Sequence, residues 1–125
     1  MSKSKKIIID WLLVFVWIAV IFYFSSQPDL KSSLPNFWDT IFRKIAHMSE
    51  YFVLTYLFFR ALKNYQFSTK VAIASSAFAS VVYALTDELH QSIVAGRQGS
   101  IRDILIDTFG ILIAIIFLLY YNKNK

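Results

Sequence analysis

Long apolar runs alternate with short polar segments along this chain, and the runs have helical rather than strand length. Residues 7–24 are apolar apart from Asp10. At about 1.5 Å per residue such a run spans about 27 Å, enough to cross a bilayer's hydrocarbon layer with little tilt. Ser25-Ser26-Gln27-Pro28 ends this helix, because proline disfavours helix at the residue before it. The same stretch lacks a small-x-small cleavage pattern, so the run reads as an uncleaved first helix rather than a signal peptide. Asp10 lies within a turn of the leading lysines and is expected in the headgroup layer on their side.

Three further helices follow. The second is expected over about 40–62, with Asn36 and Asp39 at the spacing of a helix start. Phe37, Trp38 and Phe42 near its beginning suit the membrane–water interface. The third covers about 71–94 and is rich in small residues in its first half (Ala72, Ala74, Ser76, Ala77, Ser80), which favours close packing in lipid. That face would serve a contact within the chain or between subunits equally. After the turn Gly96-Arg97-Gln98-Gly99, Ser100 and Asp103 fit a capping box for a fourth helix over about 101–121. The reading is all-α: one polytopic membrane domain over residues 1–125, with four transmembrane helices.

Composition agrees. Hydrophobic residues make up 57% of the 125 and charged residues 17%, against about 25% charged in soluble chains. The sequence has no cysteine, which excludes disulfides and thiolate metal sites. The net charge of +5 would allow a nucleic-acid partner, but most basic residues flank apolar runs. That placement suits headgroups and topology, and no nucleic acid is expected.

Charge also orients the chain. With four spans both termini share a side, which carries Lys3, Lys5, Lys6, Arg60, Lys63, Lys70, Lys123 and Lys125. The other side has only Lys31, Arg43, Lys44, Arg97 and Arg102. The positive-inside rule then makes both termini cytoplasmic. Of the 8 acidic residues, all except Asp10 fall on the extracytoplasmic side.

Those acids are the candidate chemistry, since ionisable groups at membrane depth point to function. Thr86-Asp87-Glu88-Leu89-His90-Gln91 ends the third apolar run. Ser80, Tyr83, Asp87 and Gln91 share a helical stripe. On the second helix Arg43, Lys44, His47, Glu50 and Tyr51 fall within about 120° of arc. On the fourth, Asp103 and Asp107 continue into Gly110 and Ala114, a smooth strip suited to close approach. Three polar helix ends should meet at one level as a partly paired network around a small pocket open to the outer leaflet.

Within it, Asp87 and Glu88 with His47 and His90 are candidates for acid–base work, because adjacent carboxylates in a low-dielectric site push their proton affinities apart. Their alternative is a network that orients helices. Lys44, Glu50, Tyr51, Gln91, Arg97, Asp103 and Asp107 are the candidate ligand-binding residues; Lys44, Arg97 and Arg102 suit a phosphate or carboxylate, or neutralise the acids. His47/Glu50 and Asp87/His90 are i,i+3 pairs that two adjacent helices could turn toward a divalent ion. No recognised metal motif is present, so neither metal nor cofactor is expected. A proton path is the weakest option, because the inner halves of the helices offer few polar steps.

These pieces, in this order, resemble the VanZ-like family of small bacterial membrane proteins. The resemblance covers nearly the whole chain. It rests on Phe24-Ser25-Ser26-Gln27-Pro28, on Lys44-Ile45-Ala46-His47-Met48-Ser49-Glu50-Tyr51 and on Asp87-Glu88-Leu89-His90-Gln91. Arg97 in its glycine turn and Asp103 through Asp107 to Gly110 complete it. Many members carry Asn where this chain has Asp107. The family is named for an accessory protein of glycopeptide-resistance clusters linked to teicoplanin resistance. The resemblance therefore implies a cell-membrane protein whose outward polar pocket engages an envelope component or the drug, in glycopeptide or lipoglycopeptide resistance. The alternative reading is a membrane-embedded enzyme using the Asp/Glu/His group on a lipid-linked envelope substrate.

Overall fold

A computed structural model describes residues 2–25, 36–93 and 101–123. It contains four helices: α1 (Lys3–Ser25), α2 (Asn36–Leu62), α3 (Thr69–Ser92) and α4 (Ile101–Lys123). No strand occurs among the described residues.

The starts of α1 and α3 each have a local cause. The Ser2 hydroxyl accepts the Lys5 amide at 3.2 Å and its carbonyl accepts the Lys6 amide at 3.0 Å, so α1 begins ahead of the apolar run. Ser68 caps α3 likewise, accepting the Val71 amide at 3.2 Å. The side-chain oxygen satisfies an amide that the first turn would otherwise leave without a partner. α2 starts at Asn36, in keeping with the Asn36/Asp39 spacing. The backbone then reverses between α2 and α3 in a tight turn closed by Asn64 and Tyr65 amides donating to Ala61 and Leu62 carbonyls.

α2, α3 and α4 pack on one another, while α1 touches α2 and α3 but not α4 among the described residues. One core cluster joins Ile21 of α1, Tyr51 and Leu54 of α2, Ala84 of α3 and Ile111 of α4. A second, nearer the α2–α3 turn, joins Phe59, Ala72, Ile73 and Leu118. The small residues of α3 work as spacers: Ala72, Ser76, Ser80 and Ala84 are fully buried, and Ser80 accepts the Thr55 hydroxyl at 2.9 Å. Phe52 and Tyr56 of α2 meet Phe117 of α4 at centroid distances of 5.7 and 6.5 Å, so this aromatic stripe packs helix on helix.

α1, α3 and α4 are long and apolar enough to cross a membrane, over Lys3–Phe24, Thr69–His90 and Ile104–Lys123. Their outward faces stay apolar: Phe15, Phe78 and Ile116 are 63%, 72% and 66% exposed. α2, with 27 residues, has the length but not the apolarity, because Asp39, Arg43, Lys44 and Glu50 load its first half. Of the four expected transmembrane helices, three among the described residues are apolar enough to cross by composition. The fourth long helix is amphipathic.

Candidate functional site

The first half of α2 turns Tyr51 toward α3 and His47 toward α4. Tyr51 is the centre of this contact. Its ring is wholly buried in the core, and its hydroxyl donates to Asp87 Oδ2 on α3 at 2.9 Å. Asp87 is 4% exposed. A carboxylate so placed needs donors, and the buried phenol supplies one.

His47 stands one turn before Tyr51 and faces α4. Its Nδ1 lies 3.5 Å from Asp107 Oδ1 and 3.8 Å from Glu50 Oε2. Asp107 is 2% exposed. The approach depends on Gly110, one turn further along α4. An added Cβ there would collide with the Met48 carbonyl oxygen and lie 2.9 Å from the Met48 Cα. Glycine lets the two helix backbones touch, so Asp107 reaches α2. Ala114, the next residue on the strip, is fully buried.

α1 buttresses the same level. Trp17 Nε1 donates to the Glu50 carbonyl at 2.8 Å, and the Tyr83 hydroxyl donates to the Ile18 carbonyl at 3.0 Å. Tyr83 therefore turns to α1 rather than to the carboxylates, with its ring 6.4 Å from that of Tyr51. His90 also faces α1, its ring stacked on Phe22 at 4.6 Å.

The structure thus brings together His47, Glu50, Tyr51, Asp87 and Asp107 from three helices, with buried Glu88 on the same turn as Asp87. Lys44 is half-buried one turn before His47 and forms no ion pair with another described residue. Arg97 and the side chains of Gln91, Arg102 and Asp103 lie outside the described residues. A buried Tyr–Asp pair and a His–Asp pair side by side can orient a ligand's polar groups or hold a proton between fixed positions.

A second polar group was not anticipated. Asp10, expected in the headgroup layer, is buried at 2% exposure at the other end of the bundle. It accepts Lys6 Nζ at 2.8 Å and Asn64 Nδ2 at 2.8 Å, with Arg60 Nη2 at 3.2 Å. Lys6 also donates to Asn64 Oδ1 at 2.9 Å, and Trp11 Nε1 to the Tyr65 hydroxyl at 2.9 Å. This clamp fastens α1 to the α2–α3 turn. The signal available in the sequence was the i,i+4 spacing of Lys6 and Asp10.

The described cavity is separate from both groups. It is an open apolar furrow of about 410 Å³ between α2 and α4, lined by Met48, Phe52, Phe109, Gly110 and Ile113 among others.

The chain is 34% identical over 98 residues to the uncharacterized membrane protein YwnJ of Bacillus subtilis (strain 168), a match covering 74% of the chain. The matched region spans 64% of that relative's length. No solved structure matches. Residues 10–122 match the VanZ/LLP1 family, and the chain is a membrane protein belonging to that family.

Proposed function

We propose that this protein lowers the effect of a glycopeptide or lipoglycopeptide of the teicoplanin type at the bacterial cell surface. It would do so by engaging a lipid-linked envelope component, or the drug itself, through the polar group of α2, α3 and α4. In this reading all four helices cross the membrane and both termini are cytoplasmic. α2 crosses despite its charges because its polar side is packed against α3 and α4, away from lipid. The positive-inside balance then places His47, Glu50, Asp87 and Asp107 toward the outer leaflet.

The observation that carries the reading is the convergence of Tyr51–Asp87 and His47–Asp107 from three helices at one level. Half-buried Lys44 beside them supplies positive charge for an anionic group. Asp87→Asn and Glu88→Gln, expressed in cells dosed with teicoplanin, test it. Loss of protection with the protein still inserted is the expected result; unchanged protection removes the polar group from the account.

The His47–Asp107 contact also favours a second reading, in which a carboxylate-oriented imidazole transfers protons during hydrolysis or transfer on a lipid-linked substrate. Purified protein incubated with envelope lipids would then change their masses, and no turnover across a broad panel would count against it.

A further inference from the structure

The clamp at the far end of the bundle from Tyr51 and Asp87 is not balanced in charge. Buried Asp10 is met by Lys6, Asn64 and Arg60, so two cations share one carboxylate. Lys3, Lys5, Lys63, Lys70 and Lys123 stand at the same end, and Asp10 is the one described acid there.

Asp10 fixes the two cations without using them up. Lys6 gives hydrogens to Asp10 and to Asn64, and an ammonium has a third. Arg60 meets Asp10 through Nη2 alone, while its guanidinium lies 6.0 Å from the Tyr56 ring centroid. The rest of its donor fork has no hydrogen-bond partner among the described residues. Both side chains stay partly exposed. A guanidinium fork beside an ammonium suits a phosphate.

The surroundings suit a lipid's phosphate rather than a free one. At about 100° per residue, Ile9, Leu13 and Val16 lie on the same side of α1 as Lys6, and all three are exposed. An acyl chain can run along them from a head held at Lys6 and Arg60. Trp11 and Tyr65, joined Nε1 to hydroxyl at 2.9 Å, stand at the same level, as aromatic rings do at a membrane–water interface.

We infer that the Lys6–Arg60 pair, held by Asp10 between α1 and α2, binds the phosphate of an anionic phospholipid such as phosphatidylglycerol. Basic pockets between helices take such heads, and a zwitterionic head, which brings its own cation, gains little from the surplus positive charge. The site goes beyond the proposed function, because it lies at the other end of the bundle and fits whichever way the chain is inserted. In the proposed orientation it faces the inner leaflet.

The test uses the full chain in nanodiscs of equal phosphatidylcholine and phosphatidylglycerol, released for native mass spectrometry. Phosphatidylglycerol should be retained about tenfold over phosphatidylcholine, and inorganic phosphate should not displace it. The triple variant Lys6→Gln/Asp10→Asn/Arg60→Gln removes both cations without stranding a buried charge, and should lose the preference. Lys70→Gln/Lys123→Gln removes more net charge from the same end but leaves the pair, and should keep it. Diazirine-bearing lipids on the unaltered chain give a reading that needs no variant. The phosphatidylglycerol probe should label residues 6–16 and 56–64 more than the phosphatidylcholine probe does. Equal retention of the two lipids, a preference that survives the triple variant, or one that both variants lose alike would overturn the inference. So would identical labelling by the two probes, or displacement by inorganic phosphate.

Discussion

Gly110 of α4 lies directly on the backbone of Met48 in α2, and this contact carries Asp107, one turn earlier, to within 3.5 Å of His47. A single missing Cβ therefore sets both a backbone-to-backbone helix approach and the geometry of a polar pair.

Gly110→Ala should accordingly destabilise the protein by about 1–3 kcal/mol, the usual cost of overpacking, and Gly110→Val by more. Neither wall of the clash is a flexible side chain, because the colliding atoms are backbone of Met48. Thermal unfolding in detergent measures this. A Gly110→Ala protein as stable as the parent would mean that α4 does not rest on α2 at this point.

Tyr51→Phe leaves the ring in place and removes the donor from Asp87. The buried carboxylate then lacks a partner, at a cost of about 1–3 kcal/mol. A double-mutant cycle of Tyr51→Phe with Asp87→Ala isolates the pair. Hydrogen bonds between membrane helices couple by about 0.6 kcal/mol on average and up to about 1.7, and coupling near zero would show that the two groups do not meet.

The clamp at Asp10 predicts an asymmetry. Removing both cations with Lys6→Met and Arg60→Met leaves a buried carboxylate with only the Asn64 amide, which costs about 3–5 kcal/mol. Asp10→Asn should cost less, because Lys6 and Arg60 are 51% and 39% exposed at their side chains and can turn to water. Unfolding midpoints of the two variants give the comparison directly. The reverse order would mean that Asp10 is not held by these partners.

Much of this arrangement was legible in the sequence. The apolar runs located α1, α3 and α4, and helical spacing put Asp107, Gly110 and Ala114 on one strip, where the structure buries all three. The stripe through Ser80 and Asp87 was also readable, since burial of one face follows from periodicity. Partner choice was not. Tyr83 and His90 share that region of α3 yet turn to α1, because Ile18 offers a carbonyl and Phe22 a ring at the right height. Such matches depend on how α1 is rotated and how far it is shifted along its neighbours, which one helix's spacing does not encode. Asp10 escaped for the same reason. Its partners Arg60 and Asn64 lie 50 or more residues away, and only the packed bundle brings them to it.

The proposed function depends above all on the polar group of α2 and α3 facing out of the cell, and the cysteine-free chain makes this directly measurable. Lys44→Cys and Ser92→Cys sit at the polar end, and Gln66→Cys sits in the exposed α2–α3 turn. In intact cells treated with a membrane-impermeant maleimide, residues 44 and 92 should label and residue 66 should label only after permeabilisation. Labelling of 66 from outside, with 44 and 92 protected until the membrane is opened, would contradict the account.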